Sequence, residues 1–203
     1  LDGPQKAAPP DPVGTFADGF SPSWIEDADF VYGPALLDFD VRAYLAASAP
    51  HLVAHAEVIS HWSGYYSISP KVLLAILDMQ SGVVSGAPAA TAMINPSGGL
   101  VAGADMDTQV RTLLMSLYVA FYAFREASRS RSTSMNAGTF ALLNLFHSAA
   151  PTGLTPSTAD DARRRFLEAH ARLFPASALA AVADVTPNAV PPPDFLQFPW
   201  KHN

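Results

Sequence analysis

Two histidines, His51 and His55, stand four residues apart. On an α-helix that spacing puts both imidazoles on one face, the arrangement a zinc site requires. The match stops there: Leu52 fills the place where an H-E-x-x-H motif carries its general-base glutamate, and the other histidines complete no triad with carboxylate support at a familiar spacing. The pair reads as ordinary core or surface histidines. Nucleophilic catalysis has no better footing, because the chain contains no cysteine and no G-x-S-x-G elbow. Gly98, Gly99 and Gly103 match neither a Walker nor a Rossmann spacing, and no lysine follows them to meet a phosphate.

The elements that would position these residues are helices. Between Ser69-Pro70 and Gly82 the run PKVLLAILDMQS leaves only Lys71, Asp78 and Gln80 as polar interruptions. A helix apolar on nearly all sides belongs inside a domain. Ser69 reads as its N-cap, Pro70 as its first residue and Gly82 as its stop. Before it, a helix from Asp38 or Asp40 to Ser48 is followed by one that restarts at Pro50 and stops near Gly64. After it, residues 83–105 form a long Gly/Ala/Pro-rich loop containing NPSGG. Asp107 is placed to cap a helix whose Val110, Leu113, Leu114, Leu117, Phe121 and Phe124 form a core-facing stripe, ending in the solvated Arg125, Arg129 and Arg131. Ser134 would cap a helix halted by Pro151, and Ser157 or Thr158 one that runs to Phe174. A short alanine-rich turn at 176–183 follows. The expectation is an all-α protein of about six helices around a buried central one, lacking any strand pattern.

Composition sets the domain plan and narrows the partners. Residues 1–23 are rich in proline and glycine and predict an extended N-terminal arm that Phe16, Phe20, Trp24 and Ile25 pin to the body; residues 24–186 form one helical domain; residues 187–203 form a proline-rich tail. A formal charge of −6 and a pI near 5.3 argue against nucleic acid, which demands a basic surface. The longest apolar run falls far short of the roughly 20 residues of a membrane span, so a soluble protein and no membrane partner are expected. With no cysteine, a disulfide framework and a thiolate metal site are excluded.

Over nearly its whole length the chain resembles the propeptide of secreted bacteriolytic zinc endopeptidases, the staphylolysin and beta-lytic protease family. The likeness is carried by Val31-Tyr32-Gly33, Phe39-Asp40, Ala43-Tyr44-Leu45-Ala46, Ala49-Pro50, HWSGYYSI (61–68), PKVLL (70–74), MQSG (79–82), Gln109-Val110-Arg111 and Arg172-Leu173-Phe174. PPPDFLQFPW resembles the junction at which such precursors are cut, which implies processing near Ala189 and Val190 with the first residues of the mature enzyme beyond. The resemblance implies secretion through the bacterial periplasm, a partner in the chain's own mature catalytic domain, and a role as folding assistant and inhibitor until cleavage. Zinc belongs to that catalytic domain, so no cofactor is expected in this chain. Because the family cuts glycine-rich bridges, Ser97-Gly98-Gly99-Leu100 is the candidate loop to contact the protease. A second resemblance concerns the central helix: ISPKVLLAILDMQSG is similar to the helix of lysozyme-like lytic transglycosylases that ends in a catalytic glutamate. Gln80 stands at that position, and an amide cannot donate the proton that glycosidic cleavage requires. Asp78, two residues earlier, points roughly 200° around the helix. The alternative reading is therefore a catalytically inactive lysozyme-like module that binds peptidoglycan.

Overall fold

Pro70–Ser81 is a helix buried along nearly its full length: Pro70 and every residue from Val72 to Met79 lie inside, Asp78 among them. A segment with so little polar surface is stable only when other helices cover it, and the remaining elements do so. In this computed structural model the described residues are 16, 19–21, 23–33, 36, 38–86, 90–129, 133–151 and 153–175. Within them the order is α1 (Asp27–Phe30), α2 (Val41–Ser48), a 3-10 helix (Pro50–His55), α3 (Ala56–Tyr66), α4 (Pro70–Ser81), α5 (Ala90–Ile94), α6 (Met106–Ser128), α7 (Ala137–Ala149) and α8 (Pro156–Leu173). No strand occurs among the described residues; one isolated antiparallel bridge joins Val31 to Ile68. The protein is all-α.

Packing follows the apolar stripes. α6 buries Val110, Leu113, Leu114, Leu117, Phe121 and Phe124, the stripe legible in the sequence. It packs on α7, where Phe124 stacks on Phe140 at 4.6 Å, and on α1, where Phe121 stacks on Phe30 at 5.1 Å. The predicted pinning of the chain's beginning is present in its described part: Phe16, Trp24 and Ile25 are buried, and the Trp24 ring stacks on Phe146. The amide of Trp24 donates to Thr139 Oγ1 at 2.7 Å, which ties this segment to α7.

Helix ends depart from expectation in instructive ways. Ser69 does not cap α4 with its hydroxyl; the Oγ is buried without a partner, and its amide donates to Phe30 O instead. The chain entering α4 is fixed instead by the end of α1, through this bond to Phe30 O. α3 runs past Gly64 to Tyr66 and ends on Ser67 in the left-handed region, with Ile68 N donating to Ser63 O. Asp105, not Asp107, caps α6; Asn136, not Ser134, caps α7; Thr155, not Ser157 or Thr158, caps α8, with Thr158 closing a capping box. All three have extended backbone that aims the side-chain oxygen at the third helical amide. Two short helices, α1 and α5, add to the six foreseen; four or five residues are too few to show a periodicity. The alanine-rich turn at 176–183, Arg131 and the tail from 187, with Ala189 and Val190, lie outside the described residues.

Candidate functional site

The C-terminal end of α4 is where the chemistry-bearing residues meet. Asp78 is buried and accepts four hydrogen bonds: Val84 N at 3.2 Å and Ser85 N at 2.7 Å on Oδ1, Ser85 Oγ at 3.0 Å and Arg172 Nη2 at 2.6 Å on Oδ2. Its carboxylate holds the turn after Gly82 and ties it to α8. Ser81 Oγ adds a second donor to Leu77 O at 2.9 Å, and Arg165 Nη2 donates to Met79 O, one of the helix's last carbonyls, at 2.9 Å. Orphan carbonyls at a helix end favour such cationic donors.

Gln80 faces another way. It is half-buried and lines an open cleft of about 240 Å³ together with Gly98, Gly99, Leu100, Leu154 and Arg165. The candidate loop and the position of the missing lysozyme-like acid are thus brought into contact. Gly98 has a φ of +60°, and a Cβ there would come within 2.9 Å of Gln80 Oε1 and 3.0 Å of its Cβ. Glycine alone fits this approach without strain. The loop is a turn, not an extended segment: Gly98 N donates to Asn95 O and Gly99 N to Asn95 Oδ1 at 3.1 Å. Ser97 is buried, Leu100 half-buried, and Gly98 and Gly99 are exposed at the tip.

Gln109 holds this loop from beneath. Its Oε1 accepts from Ser97 Oγ at 2.7 Å and Ser97 N at 3.2 Å, while its Nε2 donates to Ile94 O at 2.8 Å and Gly103 O at 3.2 Å. A buried amide with every group engaged fixes a loop strongly, because each unmade bond would leave a desolvated dipole. The sequence contained a signal for it: Gln109 lies four residues before Leu113, an uncharged polar residue inside an apolar stripe.

The histidine pair does not converge. A 3-10 helix turns 120° per residue, so its positions i and i+4 no longer share a face. His51 Nε2 lies 2.7 Å from Val83 O, and His55 Nδ1 lies 2.8 Å from Asp107 Oδ1. No group of three or more histidine, cysteine, aspartate or glutamate side chains able to hold a metal occurs among the described residues. No described helix is long and apolar enough to cross a membrane.

The fold and this site define a helical domain built of anchored turns and covered helix ends. A protein-family model described as "LasA, N-terminal domain" matches residues 23–187, and the chain belongs to that family. It is 36% identical over 192 residues to Protease LasA of Pseudomonas aeruginosa strain PAO1, and equally to that of strain UCBPP-PA14. In both cases the alignment covers 87% of this chain and 46% of the relative, so the chain spans about half the length of the curated relatives it matches. A shorter stretch of 42 residues is 52% identical to the beta-lytic metalloendopeptidase of Achromobacter lyticus, covering 21% of this chain and 11% of that protein. No solved structure matches. The resemblance to the staphylolysin and beta-lytic protease family holds, and the family model that matches is that of the LasA N-terminal domain.

Proposed function

We propose that this chain is the pro-domain of a secreted bacteriolytic zinc endopeptidase precursor, assisting the folding of the catalytic domain and keeping it inactive until cut near Ala189 and Val190. The observation that carries the reading is membership of an N-terminal domain family whose relatives are named proteases and extend to about twice the aligned length. Zinc would be held by the catalytic domain and not by this chain. Helical proteins rich in local contacts fold faster than β-rich ones. A helical body that is already folded can bind the native form of a slower partner and stabilise it by mass action. The acidic balance of −6 suits a basic partner by steering the encounter.

The exposed tip of the turn Ser97–Leu100 is the element proposed to meet the protease. Its glycines match the family's preference for glycine-rich bridges, and Gln109 and Gln80 hold the turn so that little order must be gained on binding. Two assays test these statements. Denatured mature protease, lacking the pro-domain, should regain activity in the presence of this chain and not in its absence, and the native enzyme should be inhibited by it. Absence of both effects rejects the pro-domain role. Gly99 has open space around it, so Gly99→Asn tolerates the left-handed backbone while Gly99→Tyr adds bulk at the tip. Inhibition unchanged by the tyrosine would remove the loop from the contact. The cleft at Gln80 favours one other reading, a peptidoglycan-binding module without catalysis; retention of the chain on purified cell wall, lost on Arg165→Ala, would support that instead.

A further inference from the structure

α6 is amphipathic on its inner side only. Its outer face, at helical spacing, carries Met115, Tyr118, Val119 and Tyr122, of which Val119 is 58% exposed. α3 continues the surface with Tyr65, 68% exposed, and the half-buried Trp62. The rings form one chain in space: Trp62 to Tyr66 at 5.7 Å, Tyr66 to Tyr118 at 5.7 Å and Tyr118 to Tyr122 at 4.7 Å. Arg111 lies over the Trp62 ring at 4.9 Å. The outer face of α8 in the same molecule shows the contrast. There Asp161, Arg164 and Glu168 form ion pairs along an ordinary solvated surface.

Tyrosine, tryptophan and arginine on a rigid helix pair are the residues that dominate protein–protein binding energies. They bring large contact area with little rotamer entropy to lose, and their ring contacts already hold them in place. Resting on the pro-domain reading, we infer that the aromatic face of α3 and α6 is the seat on which the protease region of the same precursor docks. The relatives carry more than half their length outside the matched N-terminal part, and a tethered partner meets this face at an effective concentration near millimolar. A second copy is the poorer occupant, since it brings the same charge of −6. α6 also carries Gln109, so one helix anchors the glycine turn and presents the docking face.

The test uses the full precursor, cut at its junction so that the two pieces remain associated only by contact. Dissociation is measured for the wild type and for Val119→Glu, Tyr65→Ser and, as control, Arg164→Ala on α8. Circular dichroism of each variant establishes that the fold is kept. The expected result is a Kd raised at least tenfold by Val119→Glu and by Tyr65→Ser, and unchanged by Arg164→Ala. Wild-type pieces that bind and are unaffected by both face variants overturn the docking seat and leave the pro-domain role standing. Wild-type pieces that show neither affinity nor inhibition overturn both. A 203-residue chain that dimerises through this face, becoming monomeric on Val119→Glu while still binding the protease, assigns the face to self-association and overturns the proposal.

Discussion

Asp78 shows how much a single buried carboxylate can organise. Arg172 is half-exposed, so its Coulomb attraction is diluted by solvent, and most of the stabilisation comes from the amide of the buried Val84, which would otherwise lie desolvated, with the part-buried bond from Ser85 N beside it. Asp78→Ala should lower unfolding free energy by about 2–4 kcal/mol. Asp78→Asn keeps an acceptor for those amides and should cost about 1 kcal/mol; urea titrations of the two variants separate the contributions. His170 offers a second test. Burial, with a smaller effect of the nearby Lys71 charge, pushes its pKa down to about 4 from 6.5, and its Nδ1 has no partner. Between pH 6.5 and 4 the unfolded chain takes up a proton that the folded chain refuses, so stability falls as pH drops through that window and is unaffected above it. The loss is on the order of 3 kcal/mol. His170→Leu should flatten the pH dependence of the urea midpoint over this range, and a slope that persists would show that other groups produce it.

At the scale of elements, close approach matters more than intrinsic preference. Gly138 lies within α7 where α1 crosses it, and a Cβ there would meet Phe30 Cβ at 2.9 Å and Phe30 Cγ at 3.0 Å. Its amide also donates to Asp27 Oδ1 at 2.8 Å, so the contact is fixed on two sides. Alanine favours a helix by about 1 kcal/mol, yet forced contact in a packed core costs about 1–3 kcal/mol. Gly138→Ala should therefore lower the thermal midpoint, where propensity alone would raise it. Scanning calorimetry decides the sign. The extents of α2 and α4 and the end of α7 were legible because Asp40, Pro70, Gly82 and Pro151 punctuate apolar runs. The entry to α4 was not: the Ser69 hydroxyl makes no cap, and the Ser69 amide is held by Phe30 O, 39 residues earlier in the chain.

For the molecule as a whole, the segment before α1 belongs to the core. Trp24 is 1% exposed, stacks on Phe146 and binds α7 through its amide, although it lies far from α7 in sequence. Trp24→Ala should cost about 3–5 kcal/mol. Denaturant unfolding followed by circular dichroism should shift as one transition, because the cavity would open against α7, whose residues belong to the same core as the central helix. Two separate transitions would mean that this segment docks on an independently stable body.

The sequence by itself determined the all-α class, the central helix, the inward stripe of α6 and the family, since these rest on periodicity, punctuation and local runs of residues. It also read the histidine pair as ordinary core or surface residues, because Leu52 stands where an H-E-x-x-H motif carries its glutamate. Only the tertiary structure decided that Gln80 and Gly98 touch, that Gln109 bolts down the turn, that Asp78 secures the end of α4, and that Met115, Tyr118, Val119 and Tyr122 form an uncovered aromatic face with Tyr65. Local patterns show which residues can be inside. Which surface finds cover, and which is left open, is settled by how helices distant in sequence pack against each other.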